Sequence, residues 1–314
     1  MMDEEILKGK CTRMCPLSEQ RRRQEQNRLS VFEILPITTR GSSRPRVDEN
    51  KAVKEYSRPA AGKEIDLELI RPVEVLLKTI EYLINSVACR HDKSWSAIYS
   101  FVSNRIRAIK QDLTIQRCKC NKAVRVLELA ARFYLYSESR MADTSTEEFD
   151  PVLNRDQLVD TMYKLFELYA REATDCSNRA EFESYYILYN LGVEHIKMEI
   201  TLKAMQFSES PIFQHSLLIC KAAWLKNYVR NAMQTMSIAY SSHKSKFPIK
   251  KLTQILQFKD YSLAEEFSTV HGFQVSSDQL IFTKKSLVTS QDRRFGTILS
   301  AKIDSNIGAI IAPS

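Results

Sequence analysis

Apolar residues return every three or four positions along most of this chain, which is the spacing of an α-helix with one buried face. Leu69, Val73, Leu76, Ile80, Leu83 and Val87 form one such stripe, and Trp95, Ile98, Val102, Ile106, Ile109 and Leu113 a second. Val124, Leu127, Ala131 and Leu135 form a third. Beyond a loop from Asp143 to Pro151 the rhythm resumes at Leu158, Met162, Leu165, Phe166 and Tyr169, then at Phe182, Tyr186, Tyr189, Val193 and Ile196, and in a long helix from Leu217 to Met236. With 7 glycines and 9 prolines in 314 residues, the chain has few helix breakers and little room for long disordered tracts. Helical hairpins that each leave an apolar face unsatisfied stack into a solenoid; no strict sequence period is visible, so the repeat is structural.

The texture differs at both ends. Near the C-terminus, Leu252, Ile255 and Leu256 predict a short helix and Leu263 to Phe267 a second, while Phe273-Gln274-Val275 and Leu280-Ile281-Phe282 flank the turn Ser276-Ser277-Asp278. Two short helices followed by a hairpin is the order of a winged helix. At the N-terminus, periodicity is confined to a charged helix near Glu19 to Phe32, and Gly41 to Arg46 reads as a flexible link. The expected organisation is an extended basic arm over 1–60, a TPR-like helical-hairpin solenoid over 61–240, a winged helix over 241–290 and a tail over 291–314. The fold class is mainly α.

The arm opens with Gly9-Lys10-Cys11-Thr12-Arg13-Met14-Cys15-Pro16, continues into Arg21-Arg22-Arg23 and ends in Leu29-Ser30-Val31-Phe32-Glu33. Pro16 stops any helix from running through the cysteines, so Cys11 and Cys15 read as small apolar anchors that fix the arm on a folded body. Further blocks follow in order: Val53-Lys54-Glu55-Tyr56-Ser57-Arg58, Ile70-Arg71-Pro72, Phe101 through Leu113, and Glu181 through Leu191. In this order the blocks resemble the SAC-three/GANP family, over roughly residues 9 to 285. The resemblance implies a PCI-like scaffold of a nuclear mRNA-export complex. It implies pairing with a PCI-domain protein and a small acidic subunit, and a basic surface for RNA. The short SAC-three-domain-containing animal members are the nearest in form, since no phenylalanine-glycine repeats precede Gly9 and no long C-terminal extension or acetyltransferase-like part is expected. Those members are linked to centrosome duplication and spindle progression, which is the alternative reading of function.

Catalytic chemistry finds no support. The chain has no glycine-rich phosphate loop, no Gly-x-Ser-x-Gly elbow and no His-Glu-x-x-His pair. Asp112 and Glu128 read as structural ion-pair carboxylates, and His195 and His271 as structural histidines. Cys11, Cys15, Cys118 and Cys120 are poorly spaced for zinc, because residues two apart near a helix end point in different directions. A nucleophilic Cys15 would be labelled by thiol probes well below pH 8. No cofactor or metal is expected. The 7 cysteines read as reduced thiols, and no apolar run approaches the roughly 18 residues of a membrane span, so the expected location is nuclear or cytoplasmic, including centrosome and spindle.

A net charge of +8 and a pI near 9.0 favour polyanionic partners. Two clusters carry that charge. Arg105, Arg107, Lys110 and Arg117 form either a solvated, internally paired face or a contact surface for phosphates or an acidic partner. Lys244, Lys246, Lys250 and Lys251 enter the expected winged helix and Lys284 and Lys285 follow its wing, a placement suited to a phosphate backbone. Glu265 and Glu266 on the second helix argue against base readout.

Overall fold

The computed structural model describes residues 7–36, 45–58, 64–142, 144–171, 176–190, 197–239, 246–256, 261–270, 273–276 and 278–282. The protein is mainly α-helical with a small C-terminal sheet, and it packs as two compact units, one within Met1–Ser177 and the other within Asn178–Gly296. The division falls inside the stretch expected as one solenoid. No helix among the described residues is long and apolar enough to cross a membrane.

In the first unit, Pro16 stands at the N-cap of α1 (Leu17–Glu25), which ends before Asn27 takes a left-handed φ of 53°. The expected continuation of that helix to Phe32 does not occur. A short turn at Leu67–Leu69, capped by the Asp66 carboxylate, leads through Pro72 into α2 (Val73–Tyr82), where proline's fixed φ suits a helix start. Alpha-helical bonding gives way to a π-turn over Leu83–Ala88. Ser94 caps α3 (Trp95–Ile115), a 21-residue helix that carries the stripe from Trp95 to Leu113. Next come α4 (Asn121–Arg140) and α5 (Pro151–Tyr169), the latter capped by Asp150 with proline in its first turn. α4 packs on α2 and α5. The core takes Leu76, Ile80, Val102, Ile106, Ile109, Phe133 and Leu165, all fully buried and mostly from the periodic stripes.

The second unit begins with α6 (Arg179–Tyr189), α7 (Lys197–Gln206) and α8 (Pro211–Ala239), whose packing buries Ile187, Ile200, Phe213, Leu217 and Cys220 together. α6 ends before the expected Val193 and Ile196, which lie outside the described residues. The chain then forms β1 (Lys246–Pro248), α9 (Ile249–Ile255), α10 (Tyr261–Val270), β2 (Gln274–Ser276) and β3 (Gln279–Ile281). β3 lies between the other two strands and pairs antiparallel with both, matching Leu280 to Phe247 on one side and to Val275 on the other. Asp278, at φ 64°, makes the tight turn between β2 and β3. Met233 of α8 joins Ile249, Leu252, Ala264, Phe273, Leu280 and Phe282 in the core beneath this sheet.

Candidate functional site

Two buried charge clusters fasten the arm to α3, and both are built from the blocks that stand out in the sequence. Arg23 of α1 is fully buried; its Nη1 donates to Glu33 Oε2 at 2.7 Å, and its Nη2 to the Val53 carbonyl at 3.1 Å and to the Cys15 sulfur at 3.2 Å. Glu33, equally buried, also accepts from Arg105 Nη2 of α3 at 3.2 Å, and from the Val53 backbone N–H at 2.9 Å. The Arg105 guanidinium lies 4.5 Å from the centre of the Phe101 ring, which in turn packs 4.9 Å from Phe32. One carboxylate thus ties α1, the strip near Val53 and α3 together.

Asp112 is the second centre. Its Oδ2 accepts from Arg71 Nε at 2.7 Å and its Oδ1 from Lys54 Nζ at 2.7 Å. Gln116, one turn later, accepts from the Gly9 N–H at 2.8 Å and donates to the Arg71 carbonyl at 2.8 Å. Lys10 and Cys11 extend the junction by donating from their backbone N–H groups to the Leu67 and Ile70 carbonyls, each at 2.9 Å. A Cβ on residue 9 would stand 2.5 Å from the Ile70 carbonyl oxygen, so glycine is required where the two strips approach.

Cys11, Cys15 and Pro16 are all buried at this junction. Burial, with Glu19 adding to it, pushes the Cys15 thiol up to about 12, which disfavours the thiolate that a nucleophile needs. No group of three or more His, Cys, Asp or Glu residues that could hold a metal ion occurs among the described residues.

The cluster of Arg105, Arg107, Lys110 and Arg117 does not form one contact face. Arg105 is 6% exposed and Lys110 5%, because internal acceptors compensate their removal from water. Lys110 Nζ donates to Thr161 Oγ1 at 2.9 Å and to the Gln157 carbonyl at 3.1 Å, and pairs with Asp160 at 2.7 Å. Burial pulls its ammonium from 10.5 down to about 8 despite Asp160. Arg107 is half-buried and stacks over Tyr56 at 4.1 Å. Arg117 alone of the four is exposed, at a left-handed φ of 49° in the turn after α3.

That turn borders a surface groove of about 1370 Å³, between the start of the arm, the start of α2 and the α3–α4 connection. Lys8, Arg117 and Lys119 line it together with Leu7, Ile65 and Val73. Nothing in the sequence points to Lys8 or Ile65 for this place, because no motif joins residues so far apart in the chain.

In the second unit, Lys246, Lys250 and Lys251 are exposed where β1 runs into α9. Lys244, Lys284 and Lys285 lie outside the described residues, as do His195 and His271.

A mainly helical body whose buried polar groups serve to dock its own arm has the build of a scaffold module. The SAC3/GANP family profile matches residues 14–231, which takes in both charge centres, and this chain belongs to that family of scaffolds rather than enzymes. It is 26% identical to SAC3 family protein 1 of Schizosaccharomyces pombe, over 86% of this chain and 30% of that protein. It is 29% identical to SAC3 family protein B of Arabidopsis thaliana and 26% identical to Protein xmas of Drosophila melanogaster, over 59% and 71% of this chain respectively and 11% of each relative. The chain therefore spans less than a third of the length of these relatives.

Proposed function

We propose that this chain is a scaffold subunit of a nuclear mRNA-export assembly, pairing with a PCI-domain protein and a small acidic subunit and offering RNA a basic surface on a C-terminal winged helix. The observation that carries the reading is the order β1, α9, α10, β2, β3 with a three-stranded antiparallel sheet, because it leaves Lys246, Lys250 and Lys251 exposed where β1 runs into α9. Lysines so placed suit a phosphate backbone and make binding salt-sensitive and indifferent to sequence. Exposed Glu265 and Glu266 on α10 repel phosphate where base readout would otherwise occur. Family membership supports the scaffold role, and the succession of packed helices before the small sheet suits a PCI-like stack.

The test is a titration of labelled oligouridine at several salt concentrations. The expected result is affinity that falls with salt, and a double variant Lys250→Glu/Lys251→Glu with weaker binding and a salt slope shallower by roughly 0.7 for each phosphate no longer neutralised. Binding unchanged in the double variant would remove this surface from the proposal. Purification of the tagged chain after nuclease treatment checks the assembly: a PCI protein and an acidic small subunit are expected to remain bound.

A further inference from the structure

We infer that the groove in the first unit is a docking site for a short acidic, apolar peptide segment of a partner protein. This inference concerns a different unit from the RNA-facing lysines and stands or falls separately from them.

The groove's walls are aliphatic. Leu7 is 37% exposed and Ile65 52%, side chains that would otherwise be expected to bury most of their surface, and Val73 and Ile115 lie partly buried beside them. Covering such surface is favourable by about 25 cal/mol per Å². Cys118 adds to the neutral lining, since burial pushes its thiol up to about 11. The rim is positive. Lys8 and Lys119 are exposed, and Glu74, the one carboxylate among the described residues that line the groove, has its charge offset by Lys122, which donates to it at 2.9 Å. Charge complementarity therefore selects an anionic occupant.

Its shape and chemistry select the kind of anion. A volume of about 1370 Å³ exceeds the roughly 300–1,000 Å³ typical of small-molecule sites. No aromatic ring lines it among the described residues, whereas single-stranded nucleic acid is usually held by stacking its bases on aromatic side chains. Aliphatic walls under a lysine rim suit a peptide that presents leucine-like side chains inward and carboxylates outward. The fixed geometry of the site follows from the arm clamp: Gly9, next to Lys8, is bonded to Gln116, next to Arg117, so both walls are held at one spacing. Such preorganisation lowers the ordering cost of binding.

The test selects random peptides displayed on phage against the full chain, with counter-selection on the double variant Ile65→Asp/Lys119→Glu. A recovered peptide is then synthesised with a fluorescent label and titrated by anisotropy. Survivors are expected to combine Asp or Glu with Leu, Ile, Met or Phe, and the double variant to weaken binding at least about tenfold, by about 1.4 kcal/mol, with its melting temperature unchanged because both positions are exposed. Lys250→Glu/Lys251→Glu is expected to leave peptide binding intact. Recovery of basic or neutral peptides, or of none that depend on Ile65 and Lys119, overturns the inference. So does oligouridine binding abolished in the same double variant, which would assign the groove to nucleic acid.

Discussion

The centre of α3 and the corner where β1 meets α9 look alike in sequence, each a run of lysine or arginine among apolar residues, yet they treat their charge in opposite ways. Around α3, Arg105 and Lys110 are drawn inside and neutralised by Glu33 and Asp160. At the other corner, Lys250 and Lys251 lie between the fully buried Ile249 and Leu252 while remaining exposed themselves. What separates the two, among the described residues, is the supply of carboxylates from elsewhere in the chain. A cationic run is a surface only where no distant acid claims it.

The strongest way to break this contrast is to remove the acid. Glu33→Ala leaves Arg23 and Arg105 buried without their shared carboxylate, and is expected to cost on the order of 3–5 kcal/mol, read from chemical denaturation. If the arm detaches first, the loss will appear as an early transition, with Cys15 becoming open to alkylation before the helices unfold. Gly9→Val comes next. Its Cβ meets the Ile70 carbonyl oxygen, and the expected cost is about 1–3 kcal/mol. An unchanged midpoint would show that the strip can move aside.

A subtler probe is alkaline titration of stability. Lys110 has a folded value near 8 against 10.5 unfolded, so between these the unfolded chain holds more protons and the contribution of Lys110 to stability rises with pH. Cys15 acts in the opposite sense: its folded value is near 12 against 9.0, so its contribution falls as pH rises above about 9. The difference in unfolding free energy between wild type and Lys110→Met isolates the first effect, and is expected to move in favour of wild type from pH 8 to 10. A flat difference would mean that the amine is solvated. The smallest effect is reserved for the exposed corner: Lys250→Glu/Lys251→Glu is expected to change stability by no more than about 0.5 kcal/mol per site.

Much of the fold is legible in the sequence because burial follows periodicity. The stripe from Trp95 to Leu113 marks α3, and Leu158 to Tyr169 marks α5. α7 carries no such mark, since Glu199 and Lys203 interrupt its apolar face, and these two pair with each other along the helix. β1 is equally hidden, being three residues long and ending in Pro248, whose missing N–H suits an edge strand. The arm is recognisable from Cys11, Cys15 and Pro16, and Asp112 reads as the ion-pair carboxylate it is, but the partners in these fastenings are not legible. Arg105 reads as a surface residue because its partner Glu33 lies 72 positions earlier, beyond the reach of any local pattern.

The same separation has a consequence for synthesis. The ribosome delivers Glu33 before Arg105, and at about 5–20 residues per second the interval is roughly 4–14 seconds. During that interval Phe32, Glu33 and Arg23 lack the helix that receives them. The arm is made before the helix that receives it, so an emerging chain carries an unpaired, partly apolar ribbon until α3 has left the exit tunnel.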